Sequence, residues 1–230
     1  MANFGVLSEK YDKFVIFDTE TTGLDFRRDE IIEFSAVVLQ VQNGEAVVTK
    51  EYDNLVSLTP GNTVPPKIQL LTGISTEDIA ERGIPKEQVC ADIAQLFAGN
   101  TLLLAYNAHF DLSFLFYLLM RNGDPTILRG KDKLDLLTVY RDRRPYPHRL
   151  CNAIDAYDLA GKVVNSHRAI DDVLATVAVM EAMIAERDDL TEYRNLFGYN
   201  PKYGIDGKPI GSVTYRPQRY DSPQPLYLLG

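Results

Sequence analysis

Cysteine is scarce in this chain of 230 residues: there are two, Cys90 and Cys151. That count excludes a Cys-rich zinc site and a disulfide framework, and it suits a reducing compartment. Long apolar runs are missing as well. No stretch approaches the ~20 apolar residues that cross a bilayer. The leading MANFGVLSEKYDK reaches charged residues without the apolar core of a signal peptide. A soluble, cytoplasmic protein with no membrane partner is expected. There is no internal repeat and no low-complexity tract. Positive charge is in deficit, with 24 Lys and Arg against 32 Asp and Glu and a net charge of −8. Alone, this counts against binding to nucleic acid, whose phosphates are met by Lys and Arg. The exclusion is weak, because a site that clusters carboxylates around cations is itself acidic. The basic residues are also unevenly placed. Between Arg129 and Arg149 lie Lys131, Lys133, Arg141, Arg143, Arg144 and His148, a run that reads either as a solvated face or as a phosphate-binding surface.

What is present has the organisation of a folded domain. A chain of this length buries about 70% or more of the surface its unfolded form exposes. One α/β domain over residues 1–197 and an extension over 198–230 are expected. Phe14-Val15-Ile16-Phe17 is a short apolar run that predicts a buried strand, and Ile31–Val41 and Val47–Leu58 predict two more. Their short connections predict an antiparallel meander. Pro66 opens a short helix to Leu71, and Ser75-Thr76-Glu77-Asp78 looks like the start of another. Glu87–Phe97 is helical by its apolar spacing, Thr101–Tyr106 is an apolar strand, and Asp111–Met120 is an apolar helix. Lys133–Tyr140 alternates in part and is expected as a fifth strand. Cys151–Leu159 and Ala169–Ala185 predict helices, with a further short helix toward Leu196. Strands first, then strand alternating with helix, predict a mixed sheet flanked by helices.

Three polar clusters interrupt this pattern. Asp18 and Glu20 follow the first apolar strand in Phe17-Asp18-Thr19-Glu20-Thr21-Thr22-Gly23. Two positions apart on a strand, they share a face at roughly 7 Å. Beside an apolar run such a pair is costly unless a positive group neutralises it, and hard divalent cations prefer oxygen ligands. A solvent-facing strand end explains an isolated D-x-E equally well, and some phosphatases place an acidic pair there too. Asp111 closes Tyr106-Asn107-Ala108-His109-Phe110-Asp111, where a strand gives way to a helix, and a plain helix cap explains it as well. The third cluster is His167-Arg168-Ala169-Ile170-Asp171-Asp172. Positions five apart differ by roughly 140° around a helix, so His167 belongs on the loop before the helix and Asp172 on its second turn. An exposed histidine at a helix start is the alternative.

In this order the three clusters resemble the motifs of the DEDD superfamily of exonucleases, in the subclass with a histidine. Within it they are most similar to the DnaQ-like group that contains the proofreading subunits of bacterial replicative polymerases. The resemblance spans Phe14 to Ile184. It implies an RNase H-like fold, a mixed five-stranded sheet whose first three strands are antiparallel, flanked by helices; the element order above agrees. It also implies two divalent metal ions, Mg2+ or Mn2+. Asp18, Glu20 and Asp172 would hold the ion that binds the attacking water, Asp18 would bridge to the second, and Asp111 would reach that one. His167 would be the general base. The family pattern puts the ligand at Asp172, leaving Asp171 solvated or capping. The implied reaction removes nucleoside 5'-monophosphates from the 3' end of a single strand, DNA in preference to RNA. Thr19 and Thr21 would offer donors near the terminal sugar, and Asn107 and Phe110 would line the site. Leu71-Thr72-Gly73-Ile74 resembles the family loop that packs on the terminal base, although Leu71 and Ile74 also read as plain core. Two other functions stay open: a small-molecule phosphohydrolase using the D-x-E pair, and a non-catalytic nucleic-acid-binding protein on this fold.

From Gly198 onward periodicity fails. Asp206-Gly207 signals a turn and Gly211–Tyr215 a short strand. An irregular extension packed on the domain is expected. Gln224-Pro225-Leu226-Tyr227-Leu228-Leu229 loosely resembles the Gln-plus-hydrophobic peptides that bind sliding clamps, which raises association with a polymerase or clamp as a further expectation.

Overall fold

The apolar run Phe14–Phe17 is buried on both sides because it forms the first half of the central strand of a sheet. The protein is described by a computed structural model over residues 4–43, 45–164, 166–205, 209–219 and 224–229. A short helix, α1 (Leu7–Lys10), precedes β1 (Lys13–Thr21), β2 (Ile31–Gln42) and β3 (Glu45–Leu55), which form the antiparallel meander. Helices α2 (Pro66–Thr72), α3 (Thr76–Arg82) and α4 (Lys86–Leu96) follow, then β4 (Thr101–Ala105) and α5 (Ala108–Asn122). The chain continues through β5 (Asp132–Asp135), α6 (Leu136–Arg143), α7 (Leu150–Ala156) and α8 (Ala169–Glu186). Two strands of a separate small sheet, β6 (Leu196–Tyr199) and β7 (Thr214–Pro217), come last. The main sheet runs β3-β2-β1-β4-β5, with β4 parallel to β1 and β5 parallel to β4. This is the mixed, RNase H-like sheet that the motif order implied.

Each face of the sheet has its own core, since successive strand residues point to opposite sides. Phe14 and Ile16 pack with Leu102, Leu104 and the α8 residues Val173, Val179 and Met180. Val15 and Phe17 pack with Leu103, Val89 and Ile93 of α4, and Leu112 and Leu115 of α5. Each such side chain, fully removed from water, contributes roughly 1.5–3 kcal/mol. A third, small cluster of Ile32, Leu55, Val64, Ile74 and Ile79 seats α2 and α3 at the sheet edge.

The expected fifth strand, Lys133–Tyr140, is corrected. Only Asp132–Asp135 is strand, and helix α6 begins at Leu136. Asp135 accepts from the amides of Leu137 and Thr138 and so starts a helix. A strand would send adjacent Leu136 and Leu137 to opposite faces, whereas the helix buries all of Leu136–Tyr140. Toward Leu196 the chain makes a 3-10 turn at Leu190–Tyr193, and Leu196 itself begins β6. The strand expected at Gly211–Tyr215 lies at Thr214–Pro217, parallel to β6. The Asp206-Gly207 turn lies outside the described residues.

Part of the basic run is engaged by internal partners, while Arg129 and Arg149 are exposed. Arg143 has 2% of its side chain exposed and pairs with Glu186 at 3.2 Å and Asp189 at 2.5 Å. Arg144 pairs with Glu186 at 2.8 Å. Lys133 is fully buried, and its Nζ donates to Leu128 O, Lys131 O and Ser212 Oγ. Burial lowers its pKa to about 8, with the charge of Asp132 opposing. Among the described residues, no helix is long and apolar enough to cross a membrane.

Candidate active site

The second half of β1 switches from continuous burial to alternation. Thr19 and Thr21 are buried toward α5, and Asp18 and Glu20 face the side covered by α8. Helix α8 brings Asp172 to them from its first turn, one turn earlier than the spacing predicted. The carboxylate oxygens of Asp18, Glu20 and Asp172 come within 4.8 Å of one another. Asp171, the neighbouring acid, accepts a hydrogen bond from Ser166 Oγ instead.

A buried glutamate holds α8 in this position. Glu33, fully buried on β2, lies directly opposite Glu20 in the strand register. Its Oε2 accepts from the Ala169 amide at 2.8 Å, the first residue of α8. Its Oε1 accepts from Arg168 Nε at 2.9 Å and from Arg168 Nη2. His167 precedes this clamp on the loop, exposed and in the left-handed region with φ 57°. Ser166 and Arg168, both anchored, bracket it.

Asp111 enters from the other face of the sheet. It lies in the first turn of α5 and is 2% exposed. Its Oδ1 accepts from the Thr19 amide at 3.0 Å and the Thr19 hydroxyl at 2.8 Å. The loop before it is fixed by Asp135, whose Oδ1 accepts from the amides of Asn107 and Ala108, each at 3.0 Å. Asn107 adopts φ 69° and is exposed, and Phe110 is half-buried with its ring 4.9 Å from that of Phe114.

The electrostatics are those of a cation site. Loss of hydration raises the pKa of Asp18 well above the ordinary carboxylate range, and the charges of Asp111, Glu20, Asp172 and Glu33 raise it further. Glu20 is pushed up to about 8 by burial and then by Asp172, Glu33 and Asp111, with Arg168 opposing. Burial carries Asp111 to about 7 despite the hydrogen bonds from Thr19. Carboxylates that repel in this way take up protons or a cation. An all-oxygen donor set with no thiol or imidazole fits Mg2+ or Mn2+.

The remaining expected contacts divide. The Thr19 hydroxyl is engaged by Asp111 and the Thr21 hydroxyl by Gly23 O at 2.6 Å, so both are turned inward. Thr72 is buried and bonds within its own loop, donating to Ile68 O and accepting from the Ile74 amide. Leu71 is 48% exposed while Ile74 is 2% exposed, so of the two alternatives Ile74 is core and Leu71 is surface. Leu24 and Leu70, which the sequence reading did not single out, are 78% and 88% exposed. Glu33, Arg168 and Asp135 were missed as well. A signal existed for two of them. Glu33 interrupts Ile31-Ile32-Glu33-Phe34, and Asp135 interrupts Leu134-Asp135-Leu136-Leu137; an acid inside an apolar run needs a partner.

Known proteins are similar to this chain in sequence and in fold. The RNase_T family model, described as exonuclease, matches residues 15–180. A PolC-type DNA polymerase III from Clostridium perfringens is 30% identical over 201 residues, 86% of this chain and 13% of that protein. The 3'-5' exonuclease DinG of Bacillus subtilis is 37% identical over 112 residues, 48% of this chain and 11% of its own length. The crystal structure of E. coli exonuclease I in complex with a dA16 oligonucleotide superimposes with a TM-score of 0.69 at 23% identity, covering 79% of this chain and 42% of that one. The chain therefore spans only a small part of the length of these two relatives.

Proposed function

Because this chain belongs to the exonuclease family whose model spans residues 15–180, we propose that it is a metal-dependent 3'-5' exonuclease. It removes nucleoside 5'-monophosphates from single strands, DNA in preference to RNA. The observation that carries this reading is the convergence of Asp18, Glu20 and Asp172 to within 4.8 Å from two separate elements, with Asp111 hydrogen-bonded to Thr19, the residue between Asp18 and Glu20.

In this reading Asp18, Glu20 and Asp172 would hold one divalent ion, and Asp18 and Asp111 would contribute to holding a second. Bound there, such ions lower the pKa of water and offset charge on the attacking and leaving oxygens. His167 takes the proton of the attacking water. Its exposed loop position leaves it accessible to substrate, and an unprotonated imidazole nitrogen can accept the proton. A water oxygen bonds to the terminal phosphorus, the bond to the preceding 3'-oxygen breaks with its electron pair, that oxygen takes a proton from solvent to become the 3'-hydroxyl of the shortened strand, and the mononucleotide departs. Exposed Leu71, with Asn107 and Phe110, meets the terminal nucleotide. Thr19 and Thr21, turned inward, contribute through the backbone they fix. The DNA preference draws on the polymerase names of the relatives and on the oligonucleotide bound to exonuclease I. Association with a polymerase follows from those names as well. Clamp binding through Gln224–Leu229 would have to compete with the packing of Leu226, which is fully buried.

The test is degradation of matched 3'-labelled and 5'-labelled DNA and RNA single strands with Mg2+. The reading expects immediate release of labelled mononucleotide from the 3' label and a shortening ladder from the 5' label. It fails if cleavage is internal, starts at the 5' end, or is confined to phosphomonoesters.

A further inference from the structure

Beyond the family-matched residues, the chain folds back onto the loop that carries Asp111. Two hydrogen-bonded arms make the connection. In the first, the Gly198 amide donates to Thr138 Oγ1 at 2.9 Å and Gln218 Nε2 donates to Thr138 O at 2.8 Å. Thr138 Oγ1 in turn donates to Asp135 Oδ2 at 2.7 Å. Asp135 then receives the Asn107 and Ala108 amides on its other oxygen. In the second arm the Tyr215 hydroxyl accepts from the Ile210 amide at 3.1 Å and lies 2.8 Å from His109 Nδ1. The Tyr215 ring is set edge-on to Phe197 of β6 and to His109.

We propose that the β6/β7 sheet, with Ile210 and Gln218 beside it, belongs to the scaffold of the active site, and that Thr138, Asp135 and Tyr215 are positioning residues for Asp111. The proposal rests on the reading of Asp111 as a metal-holding carboxylate. Four consequences of the geometry support it. Asn107 is in a left-handed conformation, which Asn adopts more readily than most residues with a side chain, and the bonds from its own amide and that of Ala108 to Asp135 fix it there. That conformation starts α5, and Asp111 follows within the first turn. The Thr138 hydroxyl is fully buried and both accepts and donates, so each bond orients the other. Finally, Asp135 joins the first turns of α5 and α6, so the small β6/β7 sheet that packs on α6 bears on both helices.

Outer groups that orient a metal-holding side chain typically change metal affinity or activity 10–100-fold when removed. The test compares Thr138→Val, which is nearly isosteric, and Tyr215→Phe with Thr138→Ser, which keeps the hydroxyl, and with Leu7→Ala, a change in the core on the face of the sheet away from α5. Three quantities are read: amide hydrogen exchange of residues 105–112 in metal-free protein, Mn2+ affinity by calorimetry, and kcat and KM on an oligonucleotide. Thr138→Val and Tyr215→Phe are expected to speed exchange at Asn107 and Ala108. They should weaken Mn2+ binding on the order of tenfold and lower kcat with KM unchanged. Thr138→Ser should restore all three, and Leu7→Ala should lower the melting temperature while leaving them alone. Wild-type exchange and Mn2+ affinity in both test variants, or the same losses in Leu7→Ala, overturn the proposal. Asp111→Ala separates the two layers: if it keeps full metal affinity and activity, the reading of Asp111 fails and the positioning role falls with it. If Asp111→Ala is dead while Thr138→Val and Tyr215→Phe are normal, only the positioning role is lost.

Discussion

Replacing Glu20 with Gln should stabilise the metal-free protein at alkaline pH while destroying its activity. Glu20 is carried from 4.5 to about 8 by burial and by Asp172, Glu33 and Asp111. An acid whose pKa is higher in the folded state than in the unfolded state binds extra protons when folded. Its contribution is therefore most favourable below pH ~4.5 and is lost as pH rises toward about 8. At ~1.4 kcal/mol for each pH unit, the full rise corresponds to roughly 5 kcal/mol. Glu20 keeps partial solvent access, and counter-ions gather at a charged cluster, so about 1–2 kcal/mol is the expected gain at pH 8.5. For a chain of this size that raises the melting temperature by roughly 2–8 °C. The assay is thermal unfolding in EDTA at pH 5 and pH 8.5, repeated with Mg2+. Glu20→Gln should gain at pH 8.5, gain little at pH 5, and be stabilised less by Mg2+ than the wild type, since binding to the folded state alone raises stability. A variant less stable than wild type at pH 8.5 without metal would refute the idea that these carboxylates repel one another in the apo protein.

Asp18→Ala, Asp111→Ala and Asp172→Ala should each nearly abolish hydrolysis in a labelled-oligonucleotide assay, whereas Asp171→Ala, whose carboxylate meets Ser166, should retain it; the reverse for the adjacent pair would reassign the ligand. His167→Ala should lower turnover by roughly 10²–10⁴-fold, with calorimetric Mn2+ affinity unchanged; loss of that affinity would put the imidazole among the ligands. Leu226→Ala should cost about 2–5 kcal/mol in denaturant unfolding, because Leu226 is fully buried in the core and its amide donates to Asp142 at 2.5 Å. Unchanged stability would return Gln224–Leu229 to the role of a free tether.

The fold and the acidic cluster were legible where local pattern and tertiary demand agree. Phe14–Phe17 is apolar at every position because β1 is covered on both faces, so the acids that follow stand out. The helical offset between His167 and Asp172 placed the histidine on the loop, where it lies. Lys133–Tyr140 misled because Asp135 starts a helix whose buried face mimics alternation. The internal pairing of Arg143 and Arg144 was not legible because their partners, Glu186 and Asp189, lie more than forty residues away. Glu33, Arg168 and Asp135 were invisible as a set for the same reason. An acid in an apolar run announces that it needs a partner, but the partner is set by packing.

The alternation along β1 makes the identity of the site a matter of strand register. Asp18 and Glu20 address one layer and Thr19 the other, so one strand supplies carboxylates to the α8 side and an anchor for Asp111 to the α5 side. A single-residue insertion or deletion between Phe17 and Glu20 would exchange those two roles in part of the strand, burying an acid against α4 and α5 and turning a hydroxyl toward Asp172. The chain can thus vary its side chains along this strand one at a time, but its length there is quantised. In any lineage or engineered library descended from this fold, gaps should be purged from this four-residue window long before substitutions are.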